Sequence, residues 1–141
     1  MKGVGFQDHQ SIFDRAVIHL MSQKRAALLP HGGGAYRGRC GTCPVGQLIQ
    51  PKDYAPSMEG VPIRFLGAAG EDAPDYMKPG IAALRRALLR SRINVDDQIT
   101  VDLLNCLQNV HDVFGPWEWN RRLAQIAVQF CLSPCRRVSP Q

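Results

Sequence analysis

The spacing of apolar residues predicts four helices. In four parts of the chain, apolar residues recur at intervals of three and four, which is typical of amphipathic helices. The first run follows Ser11 as N-cap, the second follows Gly80, the third is capped by Asp96 or Asp97, and the fourth follows Gly115-Pro116. The last two helices are joined by a tight turn and should form an antiparallel hairpin. The predicted core-facing positions are Phe13, Ala16, Val17, Leu20 and Met21; Ile81, Leu84, Leu88 and Leu89; Ile99, Leu103, Leu104, Leu107, Val110, His111 and Phe114; and Trp119, Leu123, Ile126, Ala127 and Phe130.

Glycine and proline dominate the chain between the first and second helices. Pro30-His31-Gly32-Gly33-Gly34 ends the first helix, and residues 35 to 41 predict a small β-hairpin. Residues 43 to 49 return as a strand or as a short helix with Pro44 in its first turn, and we favour the helix. The prolines and glycines between 50 and 80 exclude a long helix. Residues 61–66 are therefore interpreted as a short edge strand or packed loop, and 67–74 as a mobile connection.

These elements predict a mainly α fold with about four helices around one core. A small β-hairpin or glycine-rich insert lies between the first two helices, and the class becomes α+β if that insert is a true sheet. With 141 residues, 45% of them hydrophobic, the chain is the size of one domain that can bury a core. We expect a flexible lead-in at 1–10, a globular domain at 11–132 and a flexible basic tail at 133–141.

The charge balance is moderately basic. Seventeen Lys and Arg against twelve Asp and Glu leave a net charge of +5, which favours an acidic protein or nucleic acid as partner. It argues against a protein that imitates the phosphates of a nucleic acid. The second predicted helix carries Arg85, Arg86 and Arg90, with Arg92 just beyond it. Such a basic face is most often simply solvated, and contact with phosphate or an acidic protein is the functional alternative.

The sequence also predicts a location. No run approaches the about 18 apolar residues needed to cross a bilayer, and Met1 to Gln10 lacks the apolar core of a secretory signal. A cytoplasmic protein without membrane contact is therefore expected. Five cysteines, an odd number, then indicate reduced thiols, metal ligands or core residues rather than disulfides.

Two of the cysteines have the spacing of a zinc site. Cys40-Gly41-Thr42-Cys43 could hold two positions of a four-sulfur site, and Cys131 with Cys135 is a weaker second pair. Separate reduced thiols are favoured because three residues, one of them a proline, separate the second pair at a helix end. A thioredoxin-like role is disfavoured because the alternating βαβ units that accompany it are absent. No metal or cofactor is assigned.

His111-Asp112 is an adjacent pair of the kind that some metal-dependent phosphohydrolases use. The other three histidines stand in no ligand pattern, and His111 lies on the apolar face of its helix, so a packed core histidine is favoured. Cys43 with His111, oriented by Asp112, could form a thiolate–imidazole pair if the fold brings them together. Tyr36 and Arg37 could supply stacking and bidentate recognition, or could close the predicted hairpin over the helices.

Three segments together resemble a known pattern. They are Ile12-Phe13-Asp14, then Tyr36-Arg37-Gly38 with Cys43-Pro44-Val45-Gly46-Gln47-Leu48-Ile49, and finally Leu107-Gln108-Asn109-Val110-His111-Asp112. This order resembles small accessory proteins of bacteriophages and prophages, in which a Tyr/Pro/Met-Glu-Gly loop stands before the last segment. That loop reads Tyr54-Ala55-Pro56-Ser57-Met58-Glu59-Gly60 here. The similarity spans most of residues 11 to 130 and implies a phage accessory origin without a mechanism. Cys40 departs from the pattern, which weakens the zinc interpretation.

The sequence therefore predicts a non-catalytic, phage-derived interaction protein in the cytoplasm of a bacterial host. Its partner is expected to be a host protein or ribonucleoprotein complex, for example a component of an antiviral defence system such as a CRISPR effector. One alternative is a nucleic-acid-binding module that uses the basic helix face. The other is a small thiol- or His/Asp-dependent hydrolase built on Cys43, His111 and Asp112. The predicted binding residues are Tyr36, Arg37, Arg39, Arg85, Arg86 and Arg90.

Overall fold

The predicted mainly α architecture is confirmed. A computed structural model describes residues 5–23, 35–36 and 41–135. Within these ranges the chain forms four α-helices and no β-strand. The helices are α1 (His9–Gln23), α2 (Lys78–Arg90), α3 (Gln98–Val113) and α4 (Trp119–Gln129). The predicted hairpin falls largely on residues 37–40, which lie outside the described ranges.

Short 3₁₀ helices fill the proline-rich middle of the chain. For residues 43–49 the helical alternative is the one observed, but only as a 3₁₀ turn over Gly46–Leu48, which begins after Pro44 and does not include it in a first turn. The edge strand considered at 61–66 is wrong, since a 3₁₀ helix covers Ile63–Leu66. Prolines fix φ at or just before several of these turns, and each turn closes with i→i+3 hydrogen bonds. The full set is Gly46–Leu48, Pro51–Asp53, Pro56–Met58, Ile63–Leu66, Ala68–Asp72, Asp75–Met77 and Pro116–Glu118.

Side-chain caps fix the starts of two helices. The backbone N–H of Ser11 donates to Asp8 Oδ1 over 2.7 Å, so Asp8 caps α1 in place of Ser11 and the helix begins earlier than predicted. Asp97 caps α3, because its Oδ1 accepts from the N–H of Ile99 at 3.3 Å. Of Asp96 and Asp97, the two caps predicted for this helix, Asp97 is therefore the one observed.

Helix α3 is the centre of the fold. It packs against α1, α4 and the 3₁₀ helix Ile63–Leu66, whereas α2 packs over the 3₁₀ helices that precede it. Most predicted core positions of α3 are buried, but Ile99 is 54% exposed. The largest fully buried side chains, drawn from all parts of the chain, are Ile12, Phe13, Leu20, Met58, Leu66, Leu84, Leu88, Ile93, Leu103, Leu104, Leu107 and Trp119.

Helices α3 and α4 form the predicted antiparallel pair. At one end, the rings of His111 and Trp119 stack with centroids 6.1 Å apart, and Trp119 Nε1 donates to the carbonyl of Phe114 at 3.0 Å. At the other end, Ile99 near the start of α3 lines the same groove as Phe130 just after α4. Opposite ends of the two helices are therefore neighbours.

Candidate functional site

The segments around Tyr36, Cys43, Tyr54 and His111 meet in one partly buried, hydrogen-bonded group. We call it the motif cluster, and it consists of Tyr36, Cys43, Tyr54, Glu59, Gln108, His111 and Asp112. Glu59 joins two parts of it, because Oε1 accepts from the N–H of Tyr36 at 2.9 Å and Oε2 accepts from the hydroxyl of Tyr54 at 2.7 Å. Gln108 joins two others: its Oε1 accepts from the N–H of Val45 and its Nε2 donates to Asp112, both at 3.3 Å. Segments far apart in sequence are therefore held together by polar side chains.

Tyr36 is a core residue. Its side chain donates from the hydroxyl to the carbonyl of Val61 at 2.7 Å, and only 3% of the residue is exposed. Burial raises the pKa of Tyr36 well above its usual range, with smaller contributions from Cys43, Asp112 and Glu59. The ring closes one segment onto another and is not available as a surface contact. Arg37 and Arg39, which were predicted to bind beside it, lie outside the described residues.

At two positions of the pattern, Gly46 and Gly60, the backbone geometry favours glycine over other residues. A Cβ added at Gly46 would lie 2.3 Å from the carbonyl oxygen of Tyr36, so only glycine permits this approach. Gly60 has a φ of +81°, in the left-handed region that side chains rarely adopt. Gly46 thus permits close packing against Tyr36, and Gly60 supplies a left-handed backbone conformation next to Glu59.

Cys43 has the environment of a structural thiol. It is fully buried, and its Sγ accepts from the N–H of Gly46 at 3.4 Å. Burial raises the pKa of Cys43 to about 12, although hydrogen bonds from Gly46 and Gln108 act in the opposite direction. A thiol of this kind is protonated at neutral pH, whereas nucleophilic cysteines need a thiolate in a partly exposed site. The geometry therefore gives the thiol-hydrolase alternative no support.

His111 packs in the core as well. It is 1% exposed, its Nδ1 lies 2.7 Å from Asp112 Oδ1, and its ring stacks on Trp119. In the described part of the chain, no three His, Cys, Asp or Glu side chains gather where they could hold a metal ion. Cys43 and Cys131 are also separated, because Cys43 lies beside Gln108 near the end of α3 and Cys131 lies beside Ile99 at its start.

The basic face of α2 separates into paired and unpaired cations. Arg85 holds the fold together, because its guanidinium donates to the carbonyl of Leu66, to the carbonyl of Val95 at 3.3 Å and to the carboxylate of Asp96. These bonds tie α2 to the 3₁₀ helix on one side and to the turn before α3 on the other. Because the Arg85 guanidinium donates to three acceptors within the fold, it stabilises the structure and is less available to bind a partner.

Two more cations on this face have carboxylate partners. Arg90 lies 3.1 Å from Asp53, and Lys78 lies 3.4 Å from Asp75. Arg86 is exposed and, among the described residues, has neither an ion pair nor a hydrogen-bond acceptor. Of the three predicted binding cations on α2, Arg86 is therefore the one without a partner in the described part of the chain.

A groove runs along this face of α2. Its volume is about 630 Å³. The floor is apolar, made by Ile81, Ala82 and Leu89, and the rim carries the cations. The lining residues are Gly70, Lys78, Ile81, Ala82, Arg85, Arg86, Leu89 and Arg90. An apolar floor with convergent polar groups is the usual form of a binding site.

The sequence interpretation singled out none of the exposed aromatics among the described residues, which are Phe6, Tyr76 and Trp117. Trp117 is 84% exposed at the turn between α3 and α4. Its ring packs against Gly115, where an added Cβ would lie 2.2 Å from the indole. The signal was present, because Trp117 and Trp119 stand two positions apart at a helix start and cannot both face one core. Nearby Val113 is 65% exposed.

Comparison of the chain with protein-family models, with curated proteins and with solved structures finds no match. None of the helices in the described ranges is both long enough and apolar enough to cross a bilayer.

Proposed function

We propose that this chain is a non-catalytic interaction protein of phage origin that binds a host protein through the groove of α2. The observation that carries this proposal is the unpaired Arg86 beside an apolar floor. Protein interfaces typically combine a desolvated apolar centre with arginine at hot-spot positions. A guanidinium without an internal partner can take a carboxylate of the partner with bidentate geometry.

The charges on this face support a protein partner over nucleic acid. Three of the four cations around the groove already lie beside Asp53, Asp75 or Asp96. Binding to phosphate backbones depends on several free cations that displace counterions, and affinity then falls steeply with salt. One free arginine above an apolar floor suits a polypeptide with an acidic and an apolar side chain. The nucleic-acid module remains the alternative that the experiment below tests.

The motif cluster supports a role without catalysis. Its thiol and imidazole are enclosed, and its hydrogen bonds connect parts of the chain to one another. The phage-type pattern adds the biological setting, which is the cytoplasm of a bacterial host. We propose a component of an antiviral defence system, such as a CRISPR effector, as the kind of host protein that is bound.

The test is capture from host lysate with matched charge reversals. The tagged full chain is used unchanged, with Arg86→Glu, and with Arg121→Glu as control, since Arg121 is an exposed arginine on α4 paired with Glu118. We expect one stoichiometric protein to bind the unchanged chain and the control but not Arg86→Glu. Equal capture by all three would reject the groove as the binding surface. Capture of nucleic acid that is lost as salt rises would favour the alternative function.

A further inference from the structure

Two arginines from different helices come together where α2 ends. Arg92 stands in the turn after α2, and Arg15 lies on the second turn of α1. Gln7 connects them. Its backbone N–H donates to the carbonyl of Arg92 and its Nε2 to the carbonyl of Ser91, both at 2.8 Å. Its Oε1 accepts from Arg15 Nη1 at 3.0 Å. The half-buried Arg15 guanidinium is thereby held against the turn that carries Arg92.

The two positive charges interact with each other. Burial lowers the pKa of Arg15, and the positive charge of Arg92 lowers it further. Every ion pair found within the described ranges involves other cations. Two guanidinium groups that are held together with no carboxylate between them repel each other, and such clusters of arginine are typical of sites that bind phosphate or carboxylate groups.

Arg92 has a backbone conformation that favours glycine. Its φ is +65°, in the left-handed region. The turn is a Schellman motif, because the N–H of Ile93 donates to the carbonyl of Leu88 at 2.9 Å. The N–H of Arg92 donates to the carbonyl of Leu89, also at 2.9 Å. Glycine is the usual residue at this position of the motif. An arginine here adds backbone strain to the repulsion from Arg15, and residues with such strain are concentrated at ligand and active sites.

The charge and the number of donors indicate which anion fits. Two guanidinium groups carry two positive charges, and a phosphate monoester or free phosphate at neutral pH carries about −1.5 to −2. Such a group also has at least three oxygens that accept hydrogen bonds, enough for the planar forks of both arginines. A carboxylate or a phosphodiester carries a single negative charge and would leave one of the two cations unbalanced.

We propose that Arg15 and Arg92 form a binding site for a dianionic phosphate group, which is inorganic phosphate or the monoester phosphate of a small molecule. Gln7 positions the Arg15 guanidinium, and the left-handed turn after α2 places Arg92 beside it. Neither arginine is among the residues that line the α2 groove. The phosphate site is therefore separate from the surface that is proposed to bind a host protein.

Nuclear magnetic resonance titration of the isotope-labelled full chain tests the site. The probes are sodium phosphate and AMP, and the controls are acetate and dimethyl phosphate, each with one negative charge, all at neutral pH and constant ionic strength. We expect saturable shifts of the amides of Gln7, Arg15, Ser91 and Arg92 with both probes, and binding at least about tenfold weaker with either control. Tighter binding of AMP would identify a nucleotide as the source of the phosphate group, and equal binding would identify free phosphate; either result supports the site.

The variant Arg92→Gly separates binding from folding. It should bind phosphate at least about tenfold more weakly. In phosphate-free buffer its melting temperature should equal or exceed that of the unchanged chain, because glycine suits the left-handed turn. Arg15→Gln removes the other cation and should weaken binding as strongly. Arg121→Gln is the matched control, since it removes one exposed positive charge on α4, and it should leave binding within about twofold.

Three outcomes would overturn the phosphate site. These are the absence of saturable shifts with both probes, equal binding of phosphate and either control anion, or unchanged phosphate binding by Arg92→Gly and Arg15→Gln. None of them depends on Arg86, whose charge reversal in lysate capture tests the proposed function separately.

Discussion

Replacing Gly46 with alanine tests whether the motif cluster is a structural scaffold. The added Cβ would lie 2.3 Å from the carbonyl oxygen, 2.9 Å from the Cα and 3.0 Å from the carbonyl carbon of Tyr36. All three are backbone atoms, so no side chain can rotate away to relieve the contact. The backbone of Tyr36 is in turn fixed by its N–H bond to Glu59, and its ring by the hydroxyl bond to Val61.

The expected loss of stability follows from these contacts. Overpacking a close site costs about 1 to 3 kcal/mol, and displacing Tyr36 would weaken at least one buried hydrogen bond. We therefore expect Gly46→Ala to lower the free energy of unfolding by about 2 to 4 kcal/mol. Gly5→Ala is the control, because nothing lies within 4 Å of its added Cβ, and it should change stability by less than about 0.5 kcal/mol.

Urea titration followed by far-ultraviolet circular dichroism measures both variants. The midpoint should fall for Gly46→Ala with an unchanged slope, since the surface exposed on unfolding stays the same. A Gly46→Ala protein as stable as the Gly5→Ala control would contradict the expected steric cost. It would mean that the approach of residue 46 to Tyr36 is not needed for the fold.

Three further predictions concern single residues. The Cys43 thiol should resist a thiol reagent at pH 8 in the folded chain while exposed Cys131 reacts, and rapid labelling of both would contradict its burial. Because folding raises the pKa of Cys43 from 9.0 to about 12, the contribution of this thiol to stability is complete below pH 9 and is lost as the pH rises toward 12. Cys43→Ala should reduce that loss in alkaline melts. Arg85→Ala should destabilise the fold by about 1 to 3 kcal/mol in urea titration because it leaves internal carbonyls without donors, whereas Arg86→Ala should be nearly neutral, and equal effects would be inconsistent with the assignment. Asp97→Ala should cost about 0.5 to 2 kcal/mol through loss of the α3 cap, and an unchanged midpoint would count against that cap.

The sequence predicted the helices well because their apolar spacing is a local property. The positions Leu103, Leu107 and Leu123 recur as an amphipathic helix requires, and each is buried. Ile99 fits the same spacing but is 54% exposed. Its side chain lines a surface groove beside Gln129 and Phe130 and is not enclosed in the core. The spacing of apolar residues predicts which face of a helix is apolar, but it does not predict which turns of that face are packed against another element.

The candidate site was harder to predict because it depends on contacts between distant segments. Arg85 and Arg86 are adjacent and look alike in sequence, yet Arg85 has three internal acceptors and Arg86 has none among the described residues. Asp53 stood out by no sequence feature, since its ion pair with Arg90 arises only where Pro51–Asp53 meets α2. The burial of Tyr36 likewise depends on Glu59 and Val61, which follow it by more than twenty positions.

Site-specific photo-crosslinking in cells shows whether the groove of α2 binds a host protein. The photoreactive amino acid benzoylphenylalanine replaces Ala82, an exposed residue of the groove, or Ala124, an exposed alanine on α4 that serves as the control. After illumination in host cells, we expect one protein adduct from position 82 that disappears in the Arg86→Glu background, and none from position 124. The same adducts from both positions, or an adduct at 82 that persists without Arg86, would contradict it.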